Sequence, residues 1–276
     1  MASNLAQRLL VAAVGIPIVV VVAWLGGVFM AIGLGMLAAV GVMEAGRLLT
    51  GRGAPFLARL APAVAAAIPA VAWTAGADGV ALGLTGALLL MAAVSTVRLP
   101  PLVGPFRATA LSFTATVYVG GLLAFAILLR ERLVDDRVLG FALFLLPVVV
   151  TWLSDTAAYF AGQALGRRPL APIVSPNKTV EGGIAGLLAG PIGALVVAHV
   201  AVPELVAAGN GPVAGAGLVI AAAAIFGDLA ESALKRECGA KDSSNLLPGH
   251  GGLLDRMDSL LWAFPAAYVC LSLILG

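Results

Sequence analysis

Apolar runs long enough to cross a membrane recur along the whole of this 276-residue sequence. About 18 to 20 apolar residues, coiled as a helix, span a hydrocarbon layer roughly 30 Å thick. Charged residues make up only 11% of the chain, against about 25% in soluble domains. The sequence therefore predicts an all-α fold, a polytopic integral membrane helical bundle.

Glycine, proline and charged residues interrupt these runs and predict the ends of about nine transmembrane helices. The predicted ranges are 8–25, 28–46, 55–75, 79–97, 108–129, 138–161, 181–202, 213–236 and 258–275. The first run has no small-residue cleavage site, so it is predicted to be a membrane helix and not a signal peptide. We expect one integral membrane domain over 1–276, with scaffold helices mainly in 1–137 and catalytic helices and cytoplasmic loops in 138–276.

The basic residues are distributed unevenly between the two faces that nine spans would create. One face, which includes the N-terminus, receives 13 of the 16 lysines and arginines, and the positive-inside rule makes that face cytoplasmic. Cys238 and Cys270 then fall on opposite faces, so no disulfide is expected. The predicted location is a bacterial-type inner membrane. Because topology and the site below account for the bases, no nucleic-acid partner is expected.

Polar residues are concentrated in the stretch 227–261. Asp228, Glu231, Ser232 and Lys235 are spaced at i, i+3, i+4 and i+7, which places them on one face of the eighth predicted helix. An intrahelical ion pair between Glu231 and Lys235 is the structural alternative for those two residues. Asp228 has no basic residue one turn away on its own helix, and an unpaired carboxylate in a membrane is costly.

Two further acids, Asp255 and Asp258, follow a glycine-rich segment at the start of the ninth predicted helix. Asp258 could instead favour the helix N-terminus as a structural residue. Together with Asp228, these carboxylates are typical of a hard-cation site of the Mg²⁺ type. The nearby bases are suited to phosphate oxygens, and they are Lys235, Arg236, Lys241 and Arg256. The pattern indicates a site for nucleotides or other polyphosphates.

A second polar cluster begins in the sixth predicted helix with Ser154 and Asp155. The loop that follows carries four polar residues before Glu181 begins the next helix, and these are Ser175, Asn177, Lys178 and Thr179. A plain turn with Thr179 as helix N-cap is the structural alternative for this group. Near the first cluster, His250 in "PGHGG" is a site candidate, whereas His199 is predicted to be a packed histidine.

Two sequence blocks resemble one known family. "SALKRECGAKDSSNLLPGHGGLLDRMD", from Ser232 to Asp258, resembles the signature of phosphatidate cytidylyltransferases, the CDP-diacylglycerol synthases, with S-x-x-K-R, K-D, H-G-G and D-R-x-D at matching spacing. "SDTAAYFAGQALGRRPLAPIVSPNKTVEGG" is similar to the other common block of that family. Ala157 and Ser244 depart mildly, at positions where glycine is often seen.

The resemblance implies transfer of a cytidylyl group from CTP to phosphatidic acid at the cytoplasmic face, with Mg²⁺ as cofactor and a second cation left open. Asp228 and Asp255 are the expected metal ligands. The expected catalytic residues are Asp155, Lys235, Arg236, Lys241, Asp242 and Arg256. The expected substrate-binding residues are Ser154, Ser175, Asn177, Lys178, Thr179, Glu181, Glu231, Ser232, His250, Gly251, Gly252 and Asp258.

Two other functions fit parts of the sequence. Ionisable residues in a helical membrane bundle can mark the path of an ion-coupled transporter, although such groups normally occur in both halves of the membrane. A CTP-dependent lipid or polyprenol kinase, or a synthase for another lipid phosphate, would use the same kind of site. The expected partners are CTP, phosphatidic acid and the lipid bilayer, and small-residue helix faces make a homodimer plausible.

Overall fold

The structure is a computed structural model that describes residues 2–247, 249 and 251–276. It is built almost wholly of helices, with one small antiparallel hairpin. In chain order the elements are α1 (Ala2–Leu25), α2 (Gly27–Gly51), α3 (Leu60–Arg98), a 3-10 turn (Pro101–Val103), α4 (Pro105–Thr116), a π turn (Val117–Gly121), α5 (Leu122–Glu131), α6 (Arg137–Leu165), β1 (Pro169–Ala171), β2 (Ser175–Thr179), α7 (Val180–Ala201), α8 (Pro203–Ala208), α9 (Asn210–Glu237) and α10 (Leu254–Leu275).

The predicted class of all-α membrane protein is confirmed. Within the described part of the chain, seven helices are long and apolar enough to cross a membrane, namely α2, α3, Pro105–Glu131, α6, α7, α9 and α10. Ala13–Leu25 is a shorter apolar helical segment. Helix α10 begins at Leu254, four residues before the predicted start at Asp258. Asp258 therefore lies past the capping position, and the structural alternative that Asp258 caps the N-terminus of this helix is wrong.

Helix α3 is a helical hairpin and not one straight rod. Gly76, with φ 66° and ψ −155°, interrupts it. A Cβ on Gly83 would lie 3.5 Å from Cγ1 of Val71, although twelve residues of straight helix rise about 18 Å. The chain therefore reverses at Gly76, between the predicted helices 55–75 and 79–97. Gly26 has nearly the same conformation, φ 64° and ψ −157°, at the junction of α1 and α2.

The chain divides into two compact units. Unit 1 comprises Met1–Leu128 and Glu237–Met257, so it contains α1 to α4, the π turn, most of α5 and the segment that leads into α10. Its helices pack closely through small residues: a Cβ on Gly35 would lie 2.6 Å from the carbonyl oxygen of Ala66, and one on Gly120 would lie 3.0 Å from that of Ala65. Such contacts let membrane helices approach backbone to backbone.

Unit 2 comprises Leu129–Arg236 and Asp258–Gly276. Gly190 of α7 packs directly against the backbone of Gly217 in α9. The rings of Phe144 and Phe264 stack with their centroids 5.5 Å apart, which joins α6 to α10. Unit 2 is thus a bundle of α6, α7, α9 and most of α10.

The segment between α6 and α7 was predicted to be a loop, but it contains the two strands. β1 pairs antiparallel with β2, with Pro169 opposite Thr179 and Ala171 opposite Ser175. The amide of Val180 donates a hydrogen bond to the carbonyl of Arg168 over 2.8 Å. This hairpin leads directly into the first turn of α7, so its strands fix where the polar residues of the segment stand.

We predict that Gly76→Ala destabilises the protein, because a side chain at this positive φ is strained by about 1 to 3 kcal/mol. Gly86→Ala is the matched control, since a Cβ there meets nothing within 4 Å and alanine favours a helix interior. Thermal unfolding of the purified variants in detergent measures the difference. Equal melting temperatures for the two variants would contradict a chain reversal at Gly76.

Candidate functional site

The centre of the polar site in unit 2 is an ion pair between β2 and α9. The ammonium of Lys178 pairs with Oδ2 of Asp228, and each side chain is 30% exposed. The hydroxyl of Ser232 donates to Oδ1 of Asp228 over 3.3 Å. Asp228 has no basic residue one turn away on α9, and Lys178 of the hairpin supplies the base instead.

Two more carboxylates belong to the same cluster. Asp155 of α6 and Asp258 of α10 both interact electrostatically with Asp228 and with Lys178. Lys235 also acts on Asp258. Carboxylates from three helices thus lie within electrostatic range of the Lys178 ammonium.

Lys235 is engaged with a neighbour on its own helix. Its ammonium lies 2.5 Å from Oε2 of Glu231, one turn earlier in α9. Glu231 is fully buried and Lys235 is nearly so. The intrahelical ion pair that the spacing left open is therefore present.

A cavity of about 480 Å³ adjoins this cluster within unit 2. Its size falls in the usual range of small-molecule sites, roughly 300 to 1,000 Å³. Polar groups and apolar side chains both line it, and they are Asp155, Ala158, Tyr159, Gly162, Gln163, Leu170, Asn177, Lys178, Thr179, Gly182, Gly183, Ile225 and Asp228. The predicted residues Asp155, Asn177, Lys178, Thr179 and Asp228 are brought together at this cavity.

Hydrogen bonds from neighbouring elements hold the hairpin beside the cavity. Oγ1 of Thr179 accepts from the amide of Gly182 over 3.1 Å, which confirms the predicted N-cap of α7. Oε2 of Glu181 accepts from the amide of Arg167 over 3.0 Å. Nε of Arg236 donates to the carbonyl of Val174 over 3.4 Å. Glu181 thus contacts the backbone just before β1, and Arg236 contacts the turn between β1 and β2.

Two predicted substrate-binding residues lie elsewhere in unit 2. Ser154 is fully buried. A Cβ on Gly186 would lie 2.9 Å from the hydroxyl oxygen of Ser154. Ser175 lies in β2, opposite Ala171 of β1. Neither residue is among those that line the cavity.

A second polar cluster lies in unit 1, around Asp255 in the first turn of α10. Asp255 is 7% exposed. Its Oδ2 accepts from the amide of Ser243 at 2.9 Å, from the hydroxyl of Ser243 at 2.9 Å and from the amide of Gly252 at 2.8 Å. A Cβ on Gly252 would collide with Oγ of Ser243, so glycine is required where this backbone approaches so closely.

Glu44 of α2 is a central residue of this cluster that sequence reasoning missed. It is 1% exposed. Oε1 accepts from the hydroxyl of Ser244 at 2.5 Å and from the amide of Leu253 at 3.0 Å. Oε2 accepts from the amide of Leu254 at 2.7 Å and lies 3.1 Å from Oγ of Ser243, whose one hydroxyl proton it shares with Oδ2 of Asp255. The sequence signal that could have identified Glu44 is that it is a lone acidic residue within an apolar helix.

The remaining predicted site residues of unit 1 lie in the segment that Glu44 and Asp255 hold. Lys241, Asp242 and Arg256 are exposed. Gly251 has φ 81°, and a Cβ there would lie 2.8 Å from Oδ2 of Asp255. His250 lies outside the described residues.

The predicted metal ligands Asp228 and Asp255 belong to different units, so their pairing stays a prediction. Among residues 2–247, 249 and 251–276, no three histidine, cysteine or acidic side chains form a ready metal-binding group. Mg²⁺ does not require such a group, since it is usually held by one or two carboxylates, waters and substrate phosphates. Asp228 with one neighbouring carboxylate, that of Asp155 or that of Asp258, is the pair whose chemistry fits that kind of site.

Comparison with known proteins points to one family. The sequence model of the Cytidylyltransferase family matches residues 6–274. The chain is 41% identical to the phosphatidate cytidylyltransferase of Haemophilus influenzae over 155 residues, 55% of this chain and 52% of that protein. The proteins of the same name from Brucella suis biovar 1 and Bacillus subtilis (strain 168) are 46% and 42% identical, over 52% and 58% of this chain and 52% and 56% of their own lengths. The chain spans about half the length of these curated relatives.

We predict that Lys178→Met lowers the melting temperature in detergent, because it leaves Asp228 facing Asp155 and Asp258 without the nearest ammonium. Adding Asp228→Asn should restore part of the loss, with a coupling of about 0.5 to 1 kcal/mol for a partly exposed pair. Arg167→Met is the control, since it removes an exposed base next to the hairpin. Strictly additive effects of Lys178→Met and Asp228→Asn would contradict the ion pair.

Proposed function

The chain belongs to the cytidylyltransferase family, and from that membership we propose that it transfers a cytidylyl group from CTP to phosphatidic acid. The products would be CDP-diacylglycerol and pyrophosphate. The curated relatives are named for this activity. The enzyme would be a Mg²⁺-dependent nucleotidyltransferase of phospholipid biosynthesis that works within the membrane.

The observation that carries the proposal is the cluster of Lys178, Asp228, Asp155 and Asp258 beside the cavity of unit 2. A nucleoside triphosphate needs cationic groups to bind its phosphates and carboxylates to bind the accompanying metal ion. The cluster offers both in one place. The apolar side of the cavity, with Leu170 and Ile225, suits the glycerol or upper acyl region of a lipid.

The proposed reaction makes modest demands on acid and base catalysis. A phosphate oxygen of phosphatidic acid attacks the α-phosphorus of CTP and forms a new phosphorus–oxygen bond. The bond between the α-phosphorus and the bridging oxygen breaks, and pyrophosphate leaves with the electron pair. Because the attacking oxygen is already anionic, no strong base is required. The main obstacle is repulsion between two anions, which positioning and fixed positive charge relieve.

Lys178 is the proposed cationic contact for phosphate at the cavity, since it lines the cavity and carries an ammonium. In the resting protein Asp228 holds that ammonium in place. Lys235 and Arg236, in the last turn of α9, would add positive charge for the departing pyrophosphate. The catalytic roles proposed for Lys241, Asp242 and Arg256, which belong to unit 1, are retained. Ser232 would help orient Asp228, to which its hydroxyl donates a hydrogen bond.

Mg²⁺ would be held by Asp228 with Asp155 or Asp258, and it would supply charge neutralisation on the triphosphate. The pairing of Asp228 with Asp255 is the alternative ligand set. The hydrogen bonds that fill Oδ2 of Asp255 favour a structural role for that carboxylate. A second cation is left open.

The proposed location is the inner membrane of a bacterial cell, with the N-terminus and the site at the cytoplasmic face. The excess of basic residues on that face supports this orientation. CTP is supplied from the cytosol, so a cytoplasmic site is also chemically consistent. A homodimer stays a prediction.

The mass of the lipid product tests the function. Purified protein would be incubated with CTP, Mg²⁺ and vesicles that contain phosphatidic acid and a polyprenol. We expect phosphatidic acid to gain a cytidylyl group, with release of pyrophosphate. A polyprenol that gains one phosphate, with release of CDP, would identify a kinase instead, and counterflow in liposomes without a chemical product would identify a transporter.

We predict that Asp228→Asn raises the Mg²⁺ concentration for half-maximal activity by at least about tenfold. Asp135→Asn, which neutralises an exposed acid between α5 and α6, is the control and should leave the Mg²⁺ dependence unchanged. A wild-type Mg²⁺ dependence in Asp228→Asn would overturn the metal assignment.

Asp255→Asn in the same titration decides whether Asp255 is a metal ligand or a structural residue. Loss of a metal ligand shifts the Mg²⁺ dependence, whereas loss of a structural residue does not.

A further inference from the structure

We propose that Glu44 is a positioning residue for the transfer reaction, because its carboxylate fixes the segment 243–254 that leads into α10. The inference rests on the proposed function, since it assigns that segment to the reaction. Glu44 would not touch substrate. It would act through the residues of the segment, which makes it a positioning residue and not a catalytic one.

The first step of the argument is the geometry of the Glu44 carboxylate. Each oxygen accepts one serine hydroxyl and one backbone amide. The hydroxyls, from Ser243 and Ser244, lie at one end of the segment, and the amides, of Leu253 and Leu254, lie at the other. A single side chain from α2 therefore clamps both ends of the segment.

The second step concerns the start of α10. The first amides of a helix have no carbonyl partner within the helix, and a negative charge near them is favourable. Glu44 supplies the acceptor for the amides of Leu253 and Leu254. This accounts for a helix that begins at Leu254 and not at Asp258, and it fixes the first turn, which carries Asp255.

The third step links Glu44 to Asp255 through Ser243. Oγ of Ser243 lies 3.1 Å from Oε2 of Glu44 and 2.9 Å from Oδ2 of Asp255. Gly252 passes so close to both Ser243 and Glu44 that no Cβ fits there. The segment therefore has little freedom to shift while Glu44 stays in place.

The fourth step is functional. The segment and its flanks carry residues that the proposed reaction uses, and these are Lys241, Asp242, Gly251, Gly252 and Arg256. Misplacing a reacting group by about 1 Å can cost about 100-fold in rate. Loss of the Glu44 clamp should therefore reduce turnover, because the residues that it positions would shift.

Glu44→Gln tests the proposal with the smallest change in shape. The amide nitrogen of glutamine would face a backbone N–H where Glu44 presents an oxygen, so one of the two amides at the start of α10 would lose its acceptor. We expect kcat to fall about 100-fold, with the KM for CTP close to its wild-type value. We also expect faster hydrogen exchange at the amides of Leu253 and Leu254, with exchange in α3 unchanged.

Asp78→Asn is the matched control, because Asp78 is an exposed acid of the same unit. It should leave both kcat and the exchange of the segment unchanged. Adding Ser244→Ala to Glu44→Gln should have little further effect on kcat, because the two groups act through one contact. A merely structural role would instead lower the amount of folded protein and leave kcat per folded molecule unchanged.

Wild-type kcat together with wild-type exchange at Leu253 and Leu254 in Glu44→Gln would overturn the proposal. If that variant does not fold, Ser243→Ala with Ser244→Ala removes both hydroxyl donors and is judged by the same two readouts. Hydrogen exchange needs no substrate. A wild-type protein that makes no CDP-diacylglycerol would therefore refute the proposed function, while exchange in Glu44→Gln would still decide whether Glu44 holds the segment.

Discussion

A carboxylate buried among apolar helices is stable only where donors or cations replace the water that it has lost. Unit 1 meets this requirement with neutral donors, two hydroxyls and two amides around Glu44. Unit 2 meets it with ammonium groups, Lys178 beside Asp228 and Lys235 beside Glu231. Neutral donors attached to the backbone fix the chain in place, whereas an ammonium can be drawn to an incoming phosphate. The first arrangement suits a structural clamp and the second suits a substrate site.

The helices could be predicted from the sequence because their determinants are local. An apolar run and the residues that interrupt it lie side by side in the chain, so the predicted ranges 181–202 and 213–236 match α7 and α9 within three residues at each end. The reversal at Gly76 falls between two predicted helices for the same reason. The N-cap at Thr179 depends on a residue three positions away, which is also a local relation.

The structure of the site could be predicted only in part, because its contacts join distant residues. Glu44 binds Ser243 and Leu254, about 200 positions later, and no local pattern reveals such a relation. The hairpin was also missed, since its strands are short and proline-rich and lack apolar alternation. Once the hairpin forms, Lys178 meets Asp228 and joins two polar clusters that are separate in the sequence.

The signature from Ser232 to Asp258 is continuous in sequence but divided in packing. Ser232 to Arg236 and Asp258 belong to unit 2, while 237–257 belongs to unit 1. Substitutions within it should therefore act by two different routes. A change at Asp258 alters the charge beside Asp228 and Lys178, whereas a change at Ser243 or Gly252 alters the path of the segment that Glu44 holds. The N-terminal helices carry no motif of their own, yet Glu44 of α2 accepts hydrogen bonds from both ends of the segment 243–254 inside the signature.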